Sequence, residues 1–258
     1  MLADLVQGAR EDALTRESER SLEHLEQLAS EAPAVKTGAD LRGVASGVGI
    51  IAEIKRRSPS KGALADIPDP VSLARDYEAG GATAISVLTE QRRFGGSLDD
   101  LTAVAQATTI PVLRKDFISS DYQVVEARAH GADIILLIVA ALSDEQLAHL
   151  HELSARWGMT ALVEAHSAEE VRRAVSIGAK IIGVNARDLS TFDVDKTLFG
   201  RLRPLIPEDV VAVAESAVSR VDDVRAYHDQ GADVVLVGEA LVTGENPQQS
   251  VREYRLQC

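Results

Sequence analysis

The chain has 258 residues, 45% of them hydrophobic, with 40 acidic against 27 basic side chains and a formal net charge of -13. That much apolar material supplies a core for one large α/β domain or two small ones and excludes a disordered chain. The acidic balance excludes a general nucleic-acid or anionic-membrane surface, since such partners need an extended positive field, so any anion must be met by a local cluster of cations. The one cysteine, Cys258, is the last residue, which rules out an internal disulfide and fits a reducing compartment. The N-terminal stretch carries acids where a secretory signal would begin with basic residues, and the longest apolar run, residues 134 to 142, falls short of the roughly 20 residues a membrane helix needs. A cytoplasmic protein without a membrane partner is expected.

Along the chain, Leu22, Leu25 and Leu28 recur at helical spacing among charges. They predict a helix in residues 1–48 whose apolar stripe packs on the remainder of the chain, with Pro33 ending it or opening the next loop. From Gly49 onward, β-rich segments alternate with stretches of helical period: 49–55, 83–88, 110–116, 133–139, 160–165, 180–186, 210–216 and 233–238. Gly81-Ala82, Gly131-Ala132, Gly178-Ala179 and Gly231-Ala232 each precede a strand at intervals of 50, 47 and 53 residues, two β/α units apart. Glycine suits a left-handed helix cap before the chain turns back, and alanine permits close packing of helix on strand. The 210 residues from 49 to 258 divide into eight units of about 26. The expected fold is therefore α/β, a single (β/α)8 TIM barrel over 49–258 with an N-terminal helical extension over 1–48. A doubly wound open sheet is the alternative, but its G-x-G-x-x-G turn is missing after the first strand.

In such a barrel the active site lies at the C-terminal ends of the strands, and alternation selects one face. The first strand aligns Ile51, Glu53 and Lys55; the third, Leu113 and Lys115; the fifth, Leu162 and Glu164. The sixth aligns Gly183, Asn185 and Arg187, and the seventh Val211, Val213 and Glu215. The rim thus gathers three cations, Lys55, Lys115 and Arg187, against three carboxylates, Glu53, Glu164 and Glu215. Six buried structural charges at one end of a barrel would stabilise it little better than apolar packing, which favours chemistry. Two stretches, 214–218 with Ser216 and Ala217 and 236–241 with Gly238 and Glu239, are read as strands running into helix starts, where backbone N–H groups attract phosphate. Glu239 would oppose an anion and is expected to offer only its backbone. Phe94 and Phe117 follow the second and third strands and are placed as walls for a planar ring. His149 and His151, two apart on a helix, diverge onto a solvated face, and no histidine cluster suggests a metal.

The motifs IAEIKRRSPSKG, ISVLTEQRRFGGS, PVLRKDFI, ALVEAH, IIGVNARDL, AES and VLVGEALV together resemble the indole-3-glycerol phosphate synthase family across essentially the whole chain. The resemblance implies a phosphorylated small-molecule substrate, 1-(2-carboxyphenylamino)-1-deoxyribulose 5-phosphate, no metal or organic cofactor, and a monomer or weak homodimer. It gives meaning to the cations at 55, 56, 57 and 61: Lys55, supported by Arg56, Lys61 and Arg187, faces a phosphate and a carboxylate. It implies Lys115 as principal acid and Glu164 as base of the dehydration, with Lys55 positioning the carboxylate or acting as a second acid. Glu53 and Glu215 would orient these groups and Asn185 would bind hydroxyls. Ser58, Arg187, Ser216, Ala217, Gly238, Glu239, Phe94, Phe117, Leu136 and Leu236 are the implied substrate and phosphate contacts. Ser58 and Pro59 sit in a first loop ending at Gly62, read as a lid. An acid lysine is expected to have its pKa drawn toward neutrality by burial and nearby cations, while nearby glutamates keep it charged. The chain departs from the family where Glu-Ser-Gly becomes Glu215-Ser216-Ala217, which puts phosphate affinity in doubt. The alternatives are a related phosphate-binding barrel isomerase or aldolase, or a catalytically inactive binding paralogue. The isomerase reading wants a cysteine where Glu53-Ile54-Lys55 stands.

Overall fold

The computed structural model describes residues 1–42, 47–188, 191 and 193–255. Leu189, at the end of one quoted motif, and the one cysteine, Cys258, lie outside them. Eight parallel strands close into a barrel: β1 (Gly49–Ile54), β4 (Ala84–Leu88), β5 (Val112–Lys115), β6 (Ile134–Ile138), β7 (Thr160–Ala165), β8 (Ile181–Asn185), β9 (Val211–Glu215) and β10 (Val234–Val237). The remaining two, β2 (Arg57–Ser58) and β3 (Gly62–Ala63), pair as a small antiparallel hairpin in the loop after β1. β1 pairs with both β10 and β4, so the sheet has no edge, and the doubly wound alternative is excluded. Every strand read from the sequence is present, most of them shortened by a residue or two.

Alternation along each strand separates two apolar layers. Ile51, Leu113, Leu162, Ile181, Val213 and Leu236 fill the barrel interior. Ile50, Ala52, Ile135, Val163, Ile182 and Val235 face the surrounding helices. Each fully buried side chain of this kind contributes about 1.5–3 kcal/mol, and a one-residue slip would exchange the two sets, so burial itself fixes which face Glu53, Glu164 and Glu215 occupy. The helices between strands are α3 (Pro70–Gly80), α4 (Leu98–Ala107), α5 (Asp121–Ala129), α6 (Asp144–Arg156), α7 (Ala168–Ser176), α8 (Leu198–Leu202) and α9 (Val221–Asp229), followed after β10 by α10 (Glu239–Val242) and α11 (Pro247–Tyr254). The four repeated glycines all hold positive φ, from 76° at Gly178 to 91° at Gly81, and their alanine neighbours are buried.

Before the barrel come two helices, α1 (Leu2–Glu19) and α2 (Leu22–Glu31). α2 is the one the leucine spacing predicts: Leu25 and Ala29 bury against Tyr122 and Val125 of α5. α1 was not anticipated, because its buried face is built from Leu5, Gly8, Ala9 and Ala13, mostly small residues that give no apolar stripe. Leu5 and Ala9 join the cluster that includes Phe117, and Arg92 in the loop after β4 pairs with Asp12 at 2.7 Å and Glu11 at 2.9 Å. Beyond α2 the chain reaches the opposite end, where Lys36 N donates to Asp133 at 2.8 Å and Leu41 enters the interior cluster. Among the described residues, no helix is long and apolar enough to cross a membrane.

Candidate active site

The sixteen residues read as catalytic groups or as substrate and phosphate contacts all line one cavity of about 430 Å³ at the C-terminal end of the barrel. Its floor is ionic. Lys115 Nζ lies 2.5 Å from Glu215 Oε2 and 3.2 Å from Glu164 Oε2, and Lys55 Nζ lies 2.5 Å from Glu53 Oε1. The three carboxylates are buried, at 1–3% exposure, so they act through a low local dielectric.

Two glycines make room for them. A Cβ at Gly183 would sit 2.0 Å from Glu215 Oε1, and one at Gly238 would sit 2.4 Å from Glu53 Oε1. These positions admit no side chain while the carboxylates keep their places. Asn185 Oδ1 accepts from Ser216 Oγ at 2.7 Å and from the Arg187 backbone N–H at 3.0 Å, tying the end of β8 to the turn after β9. Asn185 therefore serves the frame of the site as well as facing the cavity.

Burial disfavours the Lys115 charge, but Glu215, Glu164 and Glu53 outweigh it and raise the lysine pKa. This corrects the expectation of a pKa drawn toward neutrality: carboxylates surround the ammonium and hold its proton. Burial also opposes ionisation of Glu164, yet Lys115, His166 and a hydrogen bond from Asn185 hold its pKa below the ordinary carboxylate value. Glu215 goes the other way. Its burial and the neighbouring Glu164 charge, partly offset by Lys115, push it up to about 8. Of two carboxylates sharing one lysine, one is ionised and the other holds a proton.

Phe94 and Phe117 stand side by side at the mouth, ring centroids 6.1 Å apart and tilted by 43°. Their backbones are pinned by acids. Glu90 accepts from the backbone N–H groups of Arg92, Arg93 and Phe94 at 2.8–3.1 Å, and Asp116 Oδ1 accepts from Phe117 N at 2.8 Å. Asp116 in turn meets Arg114, fully buried, which also contacts Glu126 at 2.9 Å and Thr89 at 3.1 Å. Sequence reasoning missed this network. The signal was a charged residue on the outward face of β5, beside Val112, where apolar packing is the rule.

Two further expectations need correction. Arg56 takes no part in the cavity: its guanidinium binds the Ile67 carbonyl at 2.9 Å and pairs with Asp100, so it fastens the first loop. The stretch 214–218 does not run into a helix, since α9 begins only at Val221. Instead Ser216 and Ala217 hold consecutive positive φ angles of 70° and 64°, making a tight turn that presents backbone to the cavity. The Glu239 carboxylate pairs across the mouth with Lys61 of the β2–β3 loop. Gly238 and Glu239 do open α10 as expected. Lys196, also on the cavity wall and paired with Asp223 at 2.6 Å, lay in a loop with no periodic signal. His149 is half-exposed and pairs with Asp121 at 2.8 Å, in keeping with a solvated face.

A (β/α)8-barrel enzyme with an acid–base site at its C-terminal rim is the class these features define. The family model described as indole-3-glycerol phosphate synthase matches residues 2–254, and the chain belongs to that family. It is 56% identical to the indole-3-glycerol phosphate synthase of Leifsonia xyli subsp. xyli, over 99% of this chain and 98% of the relative. The enzyme of that name from Streptomyces griseus subsp. griseus is also 56% identical, over 98% and 94%. Among solved structures, thiamine phosphate pyrophosphorylase from Pyrococcus furiosus superposes with a TM-score of 0.62 at 18% identity, covering 81% of this chain and 94% of that one, a likeness of fold alone.

Proposed function

We propose that Lys115 is the acid and Glu164 the base of the family reaction in this chain. The enzyme is a carboxy-lyase of tryptophan biosynthesis, forming indole-3-glycerol phosphate from 1-(2-carboxyphenylamino)-1-deoxyribulose 5-phosphate by ring closure, decarboxylation and dehydration. The observation that carries the role assignment is the meeting of Lys115 and Glu164, from strands β5 and β7, at 3.2 Å in one buried floor beneath the Phe94–Phe117 pair. Lys115 gives its proton to the ketose oxygen as the aromatic carbon attacks, and the new carbon–carbon bond sets up loss of carbon dioxide. In the dehydration Lys55, as second acid, gives a proton to the hydroxyl, which leaves as water, and Glu164 takes the proton that the ring system loses.

Lys55 and Arg187 hold the substrate carboxylate and its field, while the backbone of Ser216, Ala217, Gly238 and Glu239 cradles the phosphate. Phe94, Phe117, Leu136 and Leu236 enclose the ring, Ser58 and Lys61 on the hairpin cover it, and Glu53 and Glu215 orient the lysines. Residues 1–48 serve as an extension of a 49–258 barrel, and the protein works in the cytoplasm as a monomer or weak homodimer, which sedimentation would test.

Appearance of indole-3-glycerol phosphate fluorescence from the carboxyphenylamino substrate tests the reading. Wild type is active, and Lys115→Met and Glu164→Gln each lose activity by at least about a hundredfold, the scale of a positioned acid or base. Either variant retaining wild-type turnover contradicts the assignment. An aldolase reading would instead leave a borohydride-reduced adduct on Lys115.

A further inference from the structure

His166, just past β7, stands outside the substrate cavity and has no part in the catalytic roles proposed for its neighbours. Its Nε2 lies 3.4 Å from Glu164 Oε1, and its Nδ1 lies 3.3 Å from Glu170 Oε2 on α7. Glu170 also accepts from the His166 backbone N–H at 2.8 Å, which locks the residue to the start of α7. Glu164 divides its oxygens: Oε2 faces Lys115 and Oε1 faces the imidazole. Glu164 Oε1 and His166 Nε2 are both buried, and among the described residues neither has a hydrogen-bond partner; each is the polar atom the other approaches, at ion-pair distance.

Both ring nitrogens therefore face carboxylate oxygens. A neutral imidazole has one N–H and one lone pair, so one of the two contacts would set a lone pair against an anionic oxygen. The arrangement is satisfied only with one further proton, shared between Nε2 and Oε1. We propose that His166 is a positioning residue that, as an imidazolium clamped by Glu170, donates Nε2–H to Glu164 Oε1, fixing the carboxylate and keeping it ionised as a base. The inference rests on the assignment of Glu164 as the base. The charged groups around the ring agree with it: burial lowers the His166 pKa, but Glu170, Glu164 and the more distant Glu215 outweigh burial and raise it. At 14% side-chain exposure, the ring keeps a narrow contact with solvent for proton exchange.

The test has two readouts. The first is the NMR titration of the His166 ring, assigned by the signal lost in His166→Gln. Its midpoint falls in Glu164→Gln and in Glu170→Gln; a midpoint unmoved in both overturns the contact, whatever Glu164 does in catalysis. The second is the pH profile of turnover. Removing a cation beside Glu164 raises the carboxylate pKa, so in His166→Gln the acid limb of kcat moves up by about one pH unit or more while KM changes less than about threefold. A kcat lowered equally at every pH, or a changed KM alone, marks a merely structural role and overturns the proposal. Should His166→Gln fail to fold, Glu170→Gln gives the same limb shift in smaller measure, and no shift there is contrary. Full activity of Glu164→Gln would instead sink the assignment of the base and leave the titration result standing.

Discussion

Lys115 Nζ lies 2.5 Å from Glu215 Oε2, and the carboxyl group is buried beside a second carboxylate, Glu164. The short contact joins a lysine that keeps its proton to an acid that resists losing one. Glu215 titrates at about 8 in the fold and near its ordinary value of 4.5 when unfolded. The native state thus binds more protons than the unfolded state across that window, so this group's stabilisation is full below pH 4.5 and is lost as pH rises through 8. The raised Lys115 and lowered Glu164 act outside this window, at its alkaline and acid sides. Thermal melts should show wild type losing stability relative to Glu215→Gln between pH 5 and about pH 8. A difference that stays constant with pH would contradict this.

Gly183 and Gly238 are fixed by the carboxylates they face. Alanine at either position forces Glu215 or Glu53 aside, because the added Cβ would approach within 2.0 Å or 2.4 Å of an oxygen. Overpacking of this kind costs about 1–3 kcal/mol, and displacing the acid costs activity as well. We expect Gly183→Ala to lower kcat at least about tenfold, with a drop in melting temperature too small to account for it. Unchanged kinetics would show that the carboxylate position is not critical.

Much of this arrangement was legible in the sequence because period-two alternation is a geometric rule. Once Ile51, Leu113 and Leu162 face inward, Glu53, Lys115 and Glu164 must follow at the rim. What escaped notice depended on partners remote in the chain. Arg56 looked like an anion ligand until Ile67 and Asp100 claimed it, and Arg114 finds Glu126 only when α5 packs over β5. The small residues of α1 and the two left-handed residues after β9 carry no periodic signal at all. Family resemblance, not periodicity, marked Ala217 as a departure from glycine.

Ala217 holds φ at 64°, a conformation that costs an L-residue about 1–2 kcal/mol and glycine almost nothing. Glycine here relieves that strain, but it also loosens the unfolded chain by about 0.4–1 kcal/mol, so the net change in stability is small. The larger effect should be on the phosphate side of the cavity. Steady-state kinetics of Ala217→Gly should give a lower KM with little change in kcat; an unchanged or higher KM would count against a phosphate cradle at this turn.

Arg114 is fully buried between Asp116, Glu126 and Thr89. Removing its charge takes from Asp116 its ion pair with Arg114 and leaves Glu126 to Arg16, and breaking a buried pair costs about 3–5 kcal/mol. Urea unfolding of Arg114→Met should show a loss on that scale. A loss below about 1 kcal/mol would place the network among weak pairs.

The division of labour between Lys115 and Glu164 is tested most directly by counting both products in single turnovers. Carbon dioxide should be released by Glu164→Gln in up to one equivalent while indole-3-glycerol phosphate fails to form, and Lys115→Met should release neither. If Glu164→Gln withholds carbon dioxide as completely as Lys115→Met, or forms the indole at the wild-type rate, the two residues do not act as successive acid and base.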